Sequence, residues 1–201
     1  GRTDGSYTLR KQQEDTPRNS ATLPMVQVAA DMGSTTEGTG SYTSGSANTA
    51  TKLNLSLRET PQSVSVITRQ RMEDQGLTQL SDVVVQTPGL TMAGGGNVGS
   101  DSTPIYARGF QVDNYQIDGV SQLYSNYGSI FQSNDMALYD HVEVVRGATG
   151  LMSGIGLPGA TINLIRKRPT SAFQASARAE AGSWNYYRTE ADVSTPMNEA
   201  G

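Results

Sequence analysis

A chain of 201 residues suits one domain with attachments, and with 35% apolar and 17% charged residues its polarity comes mainly from Ser, Thr, Asn, Gln and Gly. A net charge of −4 excludes broad electrostatic capture of nucleic acid, and no apolar run approaches the ~18 residues of a transmembrane helix. The absence of cysteine excludes disulfides, thiolate nucleophiles and cysteine-based metal centres, and the single histidine, His141, is the one base open to a Ser-His-Asp site.

No basic and apolar leader opens the chain at Gly1, which leaves a cytosolic chain or a processed one. Ser6 to Arg10 alternates briefly and reads as a lone strand or a frayed tail. Residues 13–51 are rich in Ser, Thr, Gly and Asn and read as a linker, able to span on the order of 100 Å when extended. One uncharged, extended-biased island, Leu23-Pro24-Met25-Val26-Gln27-Val28-Ala29-Ala30, interrupts it. Compact structure starts near Leu53. Ser63 to Ile67 alternates as a strand, Thr68 can cap a helix from Arg69 to Gln75, and Gly76 suits its C′ position. Thr78 can cap a second helix, Gln79 to Gln86, which Thr87-Pro88-Gly89 stops.

Short strands follow at Leu90 to Met92, Ile105 to Ala107 and Tyr115 to Ile117, the last ending in the turn pair Asp118-Gly119. Flexible loops are expected at 94–103 and 121–134. Asp135 can cap one helical turn, and His141 to Arg146 and Ala160 to Arg166 read as strands flanking a glycine-rich stretch. Finally Phe173, Ala175, Ala177, Ala179 and Ala181, then Tyr187, Thr189, Ala191 and Val193, alternate with polar residues around Gly182-Ser183-Trp184-Asn185. Two such strands of ~10 residues fit a transmembrane β-barrel hairpin or an amphipathic hairpin of a soluble sheet. In a barrel they are a beginning only, because closure takes eight or more strands. Without them the hairpin is expected to be mobile or aberrantly packed.

Little here supports catalysis. Gly154-Ile155-Gly156-Leu157-Pro158-Gly159 matches G-x-G-x-x-G, but a dinucleotide site needs a helix next, and Ala160 to Ile165 is strand-like. His141 has no second His or Cys with which to bind a metal, and Asp113, Asp118, Asp135 and Asp140 sit beside turns or caps, where Asp bonds the backbone. Arg108-Gly109 and Arg146-Gly147 repeat the order strand, Arg, Gly. Each arginine suits either turn carbonyls or an ion pair with a surrounding wall.

From Arg58 to Ile67, and over Leu80-Ser81-Asp82-Val83 with Thr87-Pro88-Gly89, the chain resembles the opening of the plug of TonB-dependent outer-membrane receptors. Ile105-Tyr106-Ala107-Arg108-Gly109-Phe110 and Gln116-Ile117-Asp118-Gly119-Val120 are similar to its central signatures, and Tyr139 to Gly154, running on to Gly159 through Ile165, to its closing one. The likeness is strongest to ferric-siderophore receptors of the pyoverdine/pseudobactin and coprogen/ferrioxamine type.

That resemblance implies an α/β plug, a small mixed β-sheet with short helices, followed by the first strands of a 22-stranded transmembrane β-barrel. It divides the chain into a signalling-domain tail at 1–12, a flexible linker at 13–52, the plug at 53–169 and the first barrel hairpin at 170–201. Leu23, Pro24, Met25, Val26, Gln27, Val28 and Ala29 then form the TonB box, although no Thr separates the two valines as in the commonest pattern. An extended segment of this kind can add as a strand to the edge of TonB's sheet. Asn97, Tyr124, Asn126, Tyr127 and Phe131 would contact the ferric siderophore from apical loops or, for the aromatics, pack on barrel wall. Arg108 and Arg146 resemble the arginines that latch plug to wall glutamates. The implied partners are the TonB periplasmic domain, the ferric siderophore, outer-membrane lipid and, for the signalling tail, an inner-membrane anti-sigma regulator. The iron arrives chelated, so no catalytic residue, metal ligand or cofactor is expected. Other expectations that stay open are a haem, cobalamin or glycan cargo, a bare signalling or adhesive module, and a soluble nucleotide-binding enzyme.

Overall fold

A computed structural model describes residues 35–93, 104–122, 134–148, 158–170 and 172–196. Five strands form the central sheet in the order β3 (Ser63–Ile67), β9 (Tyr139–Arg146), β10 (Ala160–Arg166), β7 (Asn114–Ile117), β8 (Val120–Ser121). β9 runs antiparallel to both β3 and β10, whereas β10 and β7 are parallel. Asp118 and Gly119 join β7 to β8 with φ of 50° and 78°, a type I′ pair whose twist matches that of the strands. The strand after Gly159 is where a nucleotide site would need a helix.

One face of the sheet carries the apolar core. Ile67, Tyr115, Val142, Val144, Ile162 and Leu164 meet Met72 of α1 (Arg69–Asp74) and Leu80, Val83 and Val84 of α2 (Leu80–Val85). Thr68 caps α1 by accepting from the Arg71 backbone N–H, and Gly76 beyond its end has φ 63°. The sequence points to Thr78 as the cap of α2. Gln79 holds that position instead, because the Asp82 carboxylate turns back to accept from the backbone N–H groups of Thr78 and Gln79 at 3.1 and 3.0 Å. A small antiparallel sheet, β4 (Leu90–Met92), β5 (Ile105–Ala107) and β6 (Phe110–Gln111), adds Leu90, Ile105 and Ala107 to this core.

The second face of the sheet changes the expected division of the chain. Residues 35–52, assigned by composition to the linker, pack across it. They include β1 (Ser46–Ala47), which pairs antiparallel with β2 (Leu55–Ser56). Thr36, Ala47, Thr49 and Ala50 are buried. Low hydrophobicity misleads here because the segment is held by polar bonds rather than by apolar area. We refer to residues 35–52 as the strap.

β11 (Gln174–Gly182) and β12 (Tyr186–Ser194) pair in register from Gln174↔Ser194 to Gly182↔Tyr186. The two strands form an unbroken antiparallel ladder. Its charged side faces the plug, and Phe173, Tyr187 and Val193 are exposed.

Candidate functional site

Two features of the described residues carry chemistry that the core does not require. The first is a polar seam between sheet and strap. Register alone lines up Val66, Glu143, Asn163 and Gln116 in one row across four strands, on the face opposite the core. Glu143, Asn163 and Gln116 are essentially inaccessible to solvent. Asn163 donates to the Thr49 hydroxyl at 2.7 Å and accepts from the Gly119 N–H at 3.0 Å. The Glu143 carboxylate accepts from the Thr49 N–H at 2.9 Å.

Next in the seam is His141. Pairing slips between Ile165 and Arg166, leaving Asp140 as an extra residue on β9. The bulge brings consecutive side chains, Asp140 and His141, together under the strap. Asp140 accepts from the backbone N–H groups of Thr36 and Glu37 at 2.8 and 2.6 Å. His141 Nδ1 lies 2.5 Å from Asp140 and Nε2 3.3 Å from Glu143. Burial alone would depress the imidazole pKa, but the two carboxylates outweigh it and push it up to about 9. Burial would raise the carboxylates, yet the imidazolium and the strap N–H groups hold both Asp140 and Glu143 below their ordinary values. A cation bonded at both nitrogens has no lone pair for base catalysis or for a metal. Among the described residues no group of three or more His, Asp or Glu is arranged to hold a metal ion. The seam is a fastening.

The second feature is an arginine pair. Arg108 (φ 52°) and Gly109 (φ 84°) form the two-residue turn of the β5–β6 hairpin. A Cβ at Gly147 (φ 111°) would sit 2.9 Å from Arg108 Nη1, so glycine admits the guanidinium there. Arg146 donates to the Ser63 and Ser65 hydroxyls and, at 2.5 Å, to the Pro88 carbonyl. Burial and the neighbouring Arg108 charge lower its pKa. Among the described residues neither arginine pairs with a carboxylate.

Leu23, Pro24, Met25, Val26, Gln27, Val28 and Ala29 lie outside the described residues, as do Asn97, Tyr124, Asn126, Tyr127 and Phe131. Sequence reasoning missed the seam and its strap partners Thr36 and Thr49. One signal was available. Asn114 and Gln116, His141 and Glu143, and Thr161 and Asn163 each place polar residues two apart on a strand, which gives one continuous polar face once the strands are adjacent.

The family model described as TonB-dependent Receptor Plug Domain matches residues 56–161, just over half of the chain. The ferric-pyoverdine BN7/BN8 receptor of Pseudomonas putida is 55% identical over 201 residues, covering 98% of this chain and 24% of that protein. The ferripyoverdine receptor of Pseudomonas aeruginosa is 49% identical over 172 residues, covering 85% of this chain and 21% of that protein. The crystal structure of the outer-membrane ferripyoverdine receptor of Pseudomonas aeruginosa bound to ferripyoverdine superimposes with a TM-score of 0.77 at 49% identity, covering 84% of this chain and 22% of that one. The chain thus spans about a quarter or less of the length of these relatives.

Proposed function

The chain belongs to the TonB-dependent receptor plug domain family, a family of transport receptors, and on that premise we propose that it is the gate of an outer-membrane receptor for a ferric siderophore of the pyoverdine class. The observation that carries this reading is 55% identity across 98% of the chain to a receptor named for ferric pyoverdine. The cargo is iron already chelated, so the reading needs no resident cofactor and no catalytic group.

In this reading the segment Leu23 to Ala29 adds as a strand to TonB, and tension passes along the following residues to Thr36 and Glu37. There it meets Asp140 through two backbone N–H bonds and Lys167, whose ammonium lies 3.0 Å from Glu37. The strap is suited to release. Each strap bond to a carboxylate is exchanged for bonds from water at a net cost of about 1.5–3 kcal/mol, and the apolar side chains the strap buries are the small Ala47 and Ala50. Departure of the strap would uncover a wet-compatible row of Glu143, Asn163 and Gln116, while the apolar core on the other face stays closed. Arg108 and Arg146, without carboxylate partners among the described residues, suit a latch to acidic wall residues.

Calorimetric titration of the chain with the periplasmic domain of TonB tests the coupling. Saturable binding is expected, and it should vanish in the Val26→Pro, Val28→Pro double variant, because proline removes strand N–H donors. Undiminished binding by that variant would remove this segment from the mechanism. Uptake of radiolabelled iron by cells carrying the whole receptor, supplied with ferric pyoverdine, a ferric hydroxamate or haem, tests the cargo. Selective uptake from haem would overturn the siderophore reading.

A further inference from the structure

The most regular set of contacts outside the seam is where the hairpin meets the plug. Alternate residues of β12 face inward: Arg188, Glu190 and Asp192 are partly covered, and the intervening Tyr187, Thr189, Ala191 and Val193 are exposed. Each inward charge meets its opposite on the plug. Arg188 forms a two-pronged pair with Asp135, one prong at 2.8 Å. Glu190 lies 3.1 Å from Arg69, and Asp192 pairs with Lys167. The plug residues come from three places in the chain: the cap before the 3-10 turn Met136–Leu138, the start of α1, and the residue after β10.

The order of signs is informative. β12 presents plus, minus, minus to a plug row of minus, plus, plus. A slip of one residue would turn Tyr187, Thr189, Ala191 and Val193 against these charges. A slip of two in one direction sets Glu190 against Asp135, and in the other sets Arg188 against Arg69. Every near alternative therefore buries an apolar row against charge or opposes like charges. Arg69 is also held by the plug itself: it pairs with Glu73 at 2.6 Å and donates to the Met136 carbonyl at 2.8 Å.

We infer that Asp135, Arg69 and Lys167 form a register-setting docking surface for the first barrel hairpin of the same chain, so that plug and hairpin make one unit that does not need the remaining wall. The inference rests on the fold and is independent of the cargo. A lone two-stranded hairpin is marginal, so the change in β12 amide exchange between the parent and charge-reversed variants reports the docking.

The test uses the chain as it stands, in detergent micelles, with amide hydrogen exchange read separately for 186–194 and for β9–β10 as the folding control. Reversing one rung, by Lys167→Glu or by Asp192→Lys, is expected to speed exchange in 186–194 roughly tenfold and leave β9–β10 unchanged. Both changes together restore one ammonium among two carboxylates beside Glu37, and should restore protection. Single variants that leave exchange within about twofold of the parent overturn the inference, as does a double variant as fast as the singles. If a reversal also loosens β9–β10, Asp192→Asn, which keeps the shape, decides: faster exchange confined to 186–194 supports the docking surface, and unaltered exchange overturns it.

Discussion

Raising the pH through the range in which His141 titrates should unfasten the strap. The imidazole is held at about 9 in the folded chain against an ordinary value near 6.5. A raised folded-state pKa contributes stability that is fully present below about 6.5 and is lost as the pH rises through about 9. Taking roughly 1.4 kcal/mol for each pH unit between those values, the loss amounts to about 3 kcal/mol, a large part of the ~5–15 kcal/mol that holds a typical domain together. Asp140 and Glu143 act in the opposite sense: their depressed values give stability present above the ordinary carboxylate range and lost as the pH falls through it. Urea unfolding from pH 5 to pH 10.5 should therefore show a maximum on the acid side of neutrality and a fall of about 3 kcal/mol to the alkaline end. Because the chain has one histidine, its ring proton resonance reports this site without assignment ambiguity. A histidine midpoint near 6.5, or stability unchanged across that alkaline range, would refute the buried imidazolium and the fastening built on it.

Glu143→Ala should destabilise the plug by about 3–5 kcal/mol, because it leaves the imidazolium half-paired and the Thr49 N–H unmet in a buried place; Glu143→Gln, which keeps an acceptor, should cost less, and denaturant unfolding of both variants checks the order. Limited proteolysis of Glu143→Ala should cut within 35–52 well before the sheet, and simultaneous loss of both would count against a separable strap. Gly147→Ala should cost about 1–2 kcal/mol in thermal unfolding, since its φ of 111° disfavours any Cβ and the added carbon meets the Arg108 guanidinium. Asp82→Ala should cost about 1 kcal/mol, because two N–H groups at the start of α2 lose their acceptor, and a matching loss of helical circular dichroism on mild heating checks it.

Local order was legible in the residues themselves. Ser63 to Ile67, Ala160 to Arg166 and the final hairpin announce their period of two, and Thr68 and Asp135 mark the first turns they cap. The Asp118-Gly119 pair states its turn type, because only a few residues accept two positive φ values in succession. Family resemblance likewise lives in short contiguous signatures, which need no folding to be read. What the chain could not declare is which polar residues meet across it. Asp140 looks like a turn residue until a bulge on β9 sets it beside His141, and Thr36 and Thr49 look like linker until Asp140, Glu143 and Asn163 bond them from more than ninety residues away. The opposite charges of β12 acquire partners only when a helix start, a cap and a strand end gather in one row. Apolar periodicity is a property of neighbours in sequence, so sequence determined the elements and the core face; hydrogen-bond and charge complementarity is a property of neighbours in space, so only the tertiary structure decided the strap, the seam and the seat of the hairpin.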